Sequence, residues 1–404
     1  MARFRIANLR PTAQYTAIQG SYWASYCCVV TFSSVYLLSR GFSNVQIGTL
    51  ISVSGLLSAL LQPLVSKLAD GLRRMSLRQF SALLVVLFLT GGVALPLLPG
   101  QVPQSGLYAF LLIIVQLIMP LTSALGMACI DAGTPLNFGV ARSAGSILYG
   151  VVSSLCGRLV LQFGETSIPV ALTVLNVILL LSILAFRFAD RGEREAPKKA
   201  GQREPRGGMF VANYYGVVPL LFGVVCLFIS HNILNIYTFQ IVQPLGGDSE
   251  AMGDLLFVQS LLELPVMFLF SWMLGKKSSR FWVQLSGTGF FFHALGMWVA
   301  PNMGVAYLVQ VFEMTGYALY TLAAIYFVNE SVAGAERVQG QAWFAMAITL
   351  GNVLASFVGG LLLDYAGVPA LLAFATLTGG VGMLLLLALL RKGSRTLTEK
   401  PQAL

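Results

Sequence analysis

Glu313 is the side chain in this sequence most suited to chemistry, because it lies inside an apolar stretch that runs from 303 to 328. A charged side chain at the centre of a membrane costs roughly 2.5 to 3.5 kcal/mol on insertion scales, so a retained one indicates a function. Desolvation favours the protonated carboxyl group. We therefore predict that Glu313 binds and releases a proton. A carboxylate hydrogen-bonded only for packing is the alternative.

Glu263 is a second carboxylate inside an apolar stretch, two residues before Pro265. A carboxylate beside a proline kink lines a cavity more readily than it faces lipid. His231, beside Asn232 in another apolar stretch, is interpreted as a hydrogen-bonded core histidine, with a proton relay as the alternative.

The other reactive side chains do not have the spacing of an enzyme's site. The two histidines are isolated, and the cysteines lie in apolar stretches without the spacing of metal ligands or extracellular disulfides. An enzyme would need a metal-ligand cluster or a nucleophile with its base. We therefore expect no enzymatic activity, no metal and no cofactor, with the proton as coupling ion. The cysteines are Cys27, Cys28, Cys129, Cys156 and Cys226.

Composition explains which elements must position these residues. Of 404 residues, 56% are hydrophobic and 10% are charged, against roughly 25% charged residues in a soluble domain. The apolar residues form blocks of about twenty or more, long enough for a helix to cross the ~30 Å hydrocarbon layer. They predict an all-α polytopic membrane protein with twelve transmembrane helices. The spans lie near 13–38, 45–66, 78–98, 106–130, 139–163, 166–187, 214–242, 252–275, 281–300, 303–328, 338–363 and 369–390.

Basic residues distinguish the two sides of the membrane. The 25 Lys and Arg residues lie in the termini, the central segment and alternate loops, with Arg40 and Arg158 as the exceptions. Cytoplasmic loops carry such an excess, which predicts a multi-pass inner-membrane protein with both termini in the cytoplasm. A nucleic-acid binder would instead concentrate its charge on a soluble face. The expected partner is therefore the lipid bilayer and not nucleic acid.

A charged segment divides the chain into halves. Residues 188–212 are rich in charge, Gly and Pro and lack apolar periodicity, which predicts a flexible cytoplasmic linker. It separates predicted six-helix bundles at 1–187 and 213–404. This layout resembles the major facilitator superfamily, in which a central site is exposed alternately to the two sides of the membrane.

The loop after the second span carries a motif of the same superfamily. The segment from Ser66 to Arg74, SKLADGLRR, resembles its signature Gly-x-Leu-Ala-Asp followed by basic residues, with Ser66 in place of the usual Gly. Asp70, Gly71, Arg73 and Arg74 are the matching positions. Asp70 is predicted to cap a helix or to pair with the basic residues, which would lock one conformational state.

Three separated segments resemble the lactose permease branch, the oligosaccharide/proton symporters, and its phenylpropionate-permease-like relatives. They run from Gln46 to Asp70, from Phe138 to Gly145, and from Gln310 to Glu313. In that branch the glutamate at the position of Glu313 is the proton-coupling carboxylate. Gln310 stands where the lactose permease has a histidine, and His293 where it has an arginine. The resemblance therefore implies coupling with an altered pH dependence.

The same resemblance implies a solute site. In the branch, residues at the positions of Arg142 and Asp131 form a charged pair that hydrogen-bonds sugar hydroxyls, which suits a guanidinium and a carboxylate. Tyr149 lies close to two turns after Arg142 and stands where the permease has a stacking aromatic. Glu263 lies roughly one turn from a sugar-binding glutamate. Arg142 as an ordinary positive residue at a helix start is the alternative.

Two asparagines differ from the branch in a consistent way. Asn232 and Asn235 fall near aspartates of the permease's seventh helix, and the lysines that pair with those aspartates are also missing here. Replacing both partners avoids a buried unpaired charge. Both asparagines are therefore assigned to the predicted solute site.

Together these features predict a proton symporter of a small polar solute, most simply a sugar or oligosaccharide, working by alternating access as a monomer. The alternatives with the same architecture are transport of an aromatic acid or nucleoside, or efflux of a drug or sugar by proton antiport. The identity of the solute, the direction of transport and the proton stoichiometry stay open.

Overall fold

The computed structural model describes residues 9–71, 75–186, 217–332 and 337–391. Within these ranges the chain is helical and has no strand. The described ranges form twelve helical segments of membrane-spanning length, which we number α1 to α12. They are α1 (Leu9–Tyr26, continued by Cys27–Thr31 and Ser33–Ser39), α2 (Asn44–Gly71), α3 (Leu77–Ala94 and Leu95–Leu97), α4 (Gln101–Asp131), α5 (Phe138–Phe163), α6 (Ser167–Ala185), α7 (Val217–Ile236, then Thr238–Val242 and Gln243–Leu245), α8 (Ser249–Leu274), α9 (Ser279–Val299), α10 (Met303–Val309, Val311–Glu313, Met314–Ala318 and Leu319–Ser331), α11 (337–366) and α12 (368–391).

The predicted all-α polytopic fold is confirmed. Nine helices of the described chain are long and apolar enough to cross a membrane by length and composition, and one of them, 339–389, covers both α11 and α12. Gly367 separates those two with a positive φ of 76°, a conformation that glycine adopts without steric cost. The two segments outside this set are α1 and α9, which carry buried polar side chains such as Gln19 and His293.

Local sequence explains where several helices begin. Ser76 and Gln79 form a capping box at the start of α3. Asn137, Ser278 and Asn302 each accept a hydrogen bond from a backbone N–H in the first turn of α5, α9 and α10. Such caps satisfy N–H groups that the helix itself leaves without a partner.

The chain forms two compact units. Unit 1 comprises Met1–Glu193 with Val242–Leu261, and unit 2 comprises Arg194–Ile241 with Leu262–Leu404. The predicted bundles at 1–187 and 213–404 stay a prediction, and the linker at 188–212 lies outside the described residues.

Small residues allow close packing inside unit 1. A Cβ atom at Gly157 of α5 would overlap the backbone of Ser249, and one at Gly253 would overlap the backbone of Ser153. The Ser249 hydroxyl also donates to the Gly157 carbonyl at 3.0 Å. The first half of α8 therefore lies backbone to backbone against α5, as small residues permit between membrane helices.

Arg158, one of the two exceptions to the charge asymmetry, is paired in this contact. Its Nε lies 3.2 Å from Glu250 Oε1, and its guanidinium lies 3.5 Å from Asp254 Oδ1. The Ser154 hydroxyl also hydrogen-bonds Asp254. The pairing explains how a basic residue is accommodated here away from the predicted cytoplasmic loops.

The loop motif is only partly described. Asp70 and Gly71 lie in the last turn of α2, whereas Arg73 and Arg74 lie outside the described residues. The predicted role of this motif in changing conformation therefore stays a prediction.

Candidate functional site

Glu313 lies deep inside unit 2, on α10, with no exposed surface. The next five residues, Met314–Ala318, form a π-helix. Its wider turn interrupts the regular helix, a feature that is frequent at functional sites. The backbone N–H of Tyr317 in this segment hydrogen-bonds the Glu313 carboxyl group. The π-helix therefore helps to hold the buried carboxyl group in place.

Two imidazole rings face the two oxygens of this carboxyl group. His231 Nδ1 lies 3.1 Å from Oε1, and His293 Nδ1 lies 3.6 Å from Oε2. Only 8% of the His231 side chain and 4% of the His293 side chain is exposed. The first distance is that of a hydrogen bond, and the second is longer than one. Three titratable groups thus share one buried space.

Aromatic rings fix the orientation of His231. Its ring is stacked on Tyr317, with a centroid separation of 4.4 Å and an interplanar angle of 6°. Phe290 meets the imidazole edge-on at 5.6 Å, and Phe228 does so at 5.9 Å. The π-helix carries both Glu313 at its edge and Tyr317 within it, so it presents the carboxyl group and the stacking ring to the same histidine.

Gln310 completes the set of three residues predicted for proton coupling. Its side chain interacts with His293, and its Nε2 donates to the Ala306 carbonyl at 3.1 Å. The structure therefore brings Gln310, His293 and Glu313 together, as the sequence predicted. Their part in coupling stays a prediction.

Gly289 of α9 and Gly316 of α10 let the two helices approach closely at this point. A Cβ atom at Gly289, one turn before His293, would overlap the backbone of Thr315 and Gly316 in the π-helix. The contact brings His293 toward Glu313, because residues four apart lie on the same helix face.

Gly289→Ala is therefore expected to destabilise the protein by about 1 to 3 kcal/mol, the usual cost of overpacking. The measurement is the thermal unfolding midpoint of the purified protein in detergent. Gly106→Ala is the matched control, since a Cβ there meets nothing within 4 Å. An unchanged midpoint for Gly289→Ala would contradict this prediction, because it would mean that α9 and α10 can move apart without loss of stability.

His231 is a residue of this site whose position beside Glu313 the sequence does not show. The sequence favours a hydrogen-bonded core histidine, with a proton relay as the alternative, and the structure places its ring in hydrogen-bond contact with Glu313. The sequence feature that could indicate a functional role is the residue type itself, since only two histidines occur in the chain and both lie in apolar stretches. Nothing in the sequence indicates that α7 meets α10 at this level.

The two asparagines predicted for the solute site lie on the same helix as His231. Asn235 Nδ2 donates to the His231 carbonyl at 3.0 Å and lies 3.3 Å from His231 Nε2. Asn232 Nδ2 donates to the Phe228 carbonyl at 2.7 Å. Both asparagines are half-buried. Glu263, also in unit 2, is buried in α8 two residues before Pro265, which lies inside that helix.

The remaining predicted residues lie in unit 1, where Arg142 contacts an aromatic ring. Its guanidinium carbon lies 4.3 Å from the centroid of the Trp23 ring, close enough for a cation–π interaction. Trp23 lies beside Tyr26 at 5.3 Å and Tyr22 at 5.4 Å. Gly145 leaves room for the indole, because a Cβ there would meet Trp23 Cδ1 at 2.7 Å. Sequence reasoning did not identify this aromatic wall on α1.

The expected charged pair between Asp131 and Arg142 is not formed. Asp131 is exposed at the end of α4, and the ion pairs found among the described residues do not include Arg142. The guanidinium instead takes the face of Trp23 as its neighbour. Tyr149 lies on the same side of α5, because its hydroxyl hydrogen-bonds Thr31 of α1 at 2.9 Å.

No described group of three or more His, Cys, Asp and Glu side chains has the arrangement of a metal site. In the Glu313 cluster the imidazole Nδ1 atoms face the carboxyl oxygens themselves. The arrangement is suited to sharing a proton, because a carboxyl group and an imidazole in contact exchange donor and acceptor roles.

Comparison with known proteins gives the same fold and a family. Residues 20–374 match the MFS_1-like family, which is most of the chain. The chain belongs to this family. Among the curated proteins compared, none matches the sequence.

Solved structures of major facilitator transporters superpose on the chain over nearly its whole length. The nucleoside transporter NupG is 14% identical, with a TM-score of 0.76, and covers 95% of this chain and 100% of its own. A D-xylose-proton symporter is 15% identical, with a TM-score of 0.68, over 96% of this chain and 98% of its own. The peptide transporter POT is 14% identical, with a TM-score of 0.65, over 94% of each chain.

This member of the MFS_1-like family is thus a multi-pass membrane transporter with the major facilitator fold. The lactose permease branch, the cytoplasmic location of both termini and the monomeric state stay predictions.

Proposed function

We propose that this protein is a proton-coupled symporter that carries a small polar solute, a sugar or oligosaccharide, by alternating access. Proton coupling is proposed from one observation, the burial of Glu313 between two imidazole rings. A fully buried carboxylate is costly unless it is paired or protonated. In the proposed cycle Glu313 meets each condition in turn. It is protonated in one step, and in the other its carboxylate is paired with the two imidazole rings.

The choice of a sugar is supported by the unit 1 residues. Arg142 offers a fork of N–H donors suited to vicinal hydroxyls. Tyr149, close to two turns later on the same helix face, offers a ring for a pyranose. In unit 2, the half-buried amides of Asn232 and Asn235 and the carboxyl group of Glu263 are proposed as further hydrogen-bonding groups for the solute.

An aromatic carboxylate is the second candidate, favoured by the environment of Arg142. This guanidinium is half-buried, stacks on Trp23 and belongs to no ion pair found among the described residues. A cation in a membrane bundle costs less when an anion neutralises it. A solute with a carboxylate for Arg142 and a planar ring for Trp23 and Tyr26 would supply that anion.

The test is solute-driven proton movement in liposomes that contain the purified protein and a pH-sensitive dye. Glucosides, disaccharides, nucleosides and benzoate-type acids are added separately under zero membrane potential. A transported sugar is expected to carry protons inward with it, so that the lumen becomes acidic. The response should vanish in protein-free liposomes and in Glu313→Gln liposomes. Solute entry without proton movement would overturn proton coupling.

A further inference from the structure

We propose that His231 is the proton relay of this transporter, the group through which Glu313 gains and loses its proton. The inference rests on the proposed proton coupling at Glu313 and adds the route that the proton takes. It assigns to His231 a role in proton transfer in addition to its packing in the core.

Burial makes a relay necessary. In this conformation Glu313 has no exposed surface, so here its carboxyl group exchanges a proton with water only through a neighbouring group. A neighbouring group must accept the proton on one side and release it on the other. Imidazole can do this because it has two nitrogens, each able to donate or to accept.

Distance and exposure distinguish His231 from the other groups at Glu313. His231 Nδ1 lies 3.1 Å from the carboxyl oxygen, and 8% of its side chain is exposed. His293 Nδ1 lies 3.6 Å away, with 4% exposed. The third group, the backbone N–H of Tyr317, donates a hydrogen bond but does not accept a proton. His231 is thus the closer and the more exposed of the two imidazoles.

A half-buried amide lies beside the imidazole. Asn235 Nδ2 is 3.3 Å from His231 Nε2 and 3.4 Å from its Nδ1, and Asn235 is half-buried rather than buried. The stack on Tyr317 holds the ring so that Nδ1 faces Glu313. The ring is therefore oriented for transfer between its two nitrogens rather than free to rotate.

The proton balance of the relay is simple. With Glu313 protonated, its O–H donates to Nδ1, and the neutral ring carries its own proton on Nε2. On release, the carboxyl O–H bond breaks, an N–H bond forms at Nδ1, and the Nε2 proton leaves to water. The products are a carboxylate that accepts from Nδ1–H and a neutral imidazole whose Nε2 can accept from the Asn235 amide. One proton leaves, and no oxidant or other reactant is needed.

The relay can be tested without knowing the solute, with a pH jump as the probe. Full-length protein in lipid is followed by time-resolved infrared spectroscopy of the protonated-carboxyl C=O stretch. The Glu313 band is assigned by its absence in Glu313→Gln. His231→Gln is expected to slow the pH-induced change of this band about 100-fold, within the usual range for a positioned proton-transfer group. Thermal unfolding of each variant shows whether it is folded.

His293→Gln provides the comparison, because it removes the other imidazole by the same chemical change. It is expected to shift the pH at which the band titrates while transfer stays fast. Tyr317→Leu keeps His231 but removes the ring that orients it, and it is expected to slow transfer as well. This variant also tests the relay if His231→Gln does not fold.

A wild-type rate in folded His231→Gln, or equal slowing in His231→Gln and His293→Gln, would overturn the relay. Those outcomes leave the proposed function standing. The proposed function would instead fail if Glu313→Gln kept uphill accumulation of solute, whatever rate the infrared experiment gave.

Discussion

Glu313→Gln is expected to abolish proton-driven accumulation of solute while solute exchange across the membrane continues. Glutamine keeps the size and polarity of the side chain but cannot take up or release a proton. For one proton per solute, a gradient of one pH unit supports about tenfold accumulation. The Glu313→Gln protein should show no accumulation under that gradient, because it no longer binds the proton that drives uptake.

The measurement is uptake of labelled solute into liposomes with an imposed pH gradient and zero membrane potential. Exchange is followed separately, with unlabelled solute inside and no gradient. Glu330→Gln is the matched control, since Glu330 lies at the end of the same helix, is exposed and contacts Ser279. It should accumulate solute like the unaltered protein. Intact uphill uptake by Glu313→Gln would contradict the assignment of the coupling group.

Arg142→Gln is expected to weaken solute binding by about 1.5 to 3 kcal/mol, roughly 10- to 150-fold in affinity. A hydrogen bond to a charged group is worth about that much, and glutamine removes both the charge and the fork of donors. The loss should fall mainly on affinity, because Arg142 belongs to no ion pair found among the described residues and its contact with Trp23 is worth only about 0.5 to 1 kcal/mol.

Arg142→Lys separates the two candidate solutes. Lysine keeps the charge but loses the planar fork and the stack on Trp23. A carboxylate solute should therefore retain part of its affinity in Arg142→Lys, whereas a sugar should lose about as much as in Arg142→Gln. Binding is measured by isothermal calorimetry on purified protein.

Arg40→Gln is the matched control for Arg142→Gln. Arg40 also lies over an aromatic ring, that of Tyr36 at 5.1 Å, and it is outside the proposed site. The variant should keep the affinity of the unaltered protein. Equal losses in Arg40→Gln and Arg142→Gln would indicate a general effect on unit 1 and contradict direct contact between Arg142 and the solute.

The family resemblance predicted which single residues lie at the site better than it predicted which residues pair with each other. It directed attention to Gln310, His293 and Glu313, and the structure brings these three together. It also implied a pair between Asp131 and Arg142, and the structure leaves Asp131 exposed. A pair depends on the course of two helices and the loop between them, so matching residue types alone do not predict that the pair forms.

The sequence by itself determined the helices and the buried carboxyl group. A membrane requires long apolar helices, so hydropathy predicts their number, and the cost of a charge in hydrocarbon makes Glu313 conspicuous. Only the tertiary structure decided what surrounds that carboxyl group. His231 and Glu313 lie far apart in the chain and meet because α7 packs beside α10, while the π-helix turns Tyr317 onto the imidazole. Hydrophobic periodicity indicates which residues are buried, but it does not specify which buried residues are in contact. An apolar helix face is about equally stable against any other apolar face, so the pattern does not select the neighbouring helix.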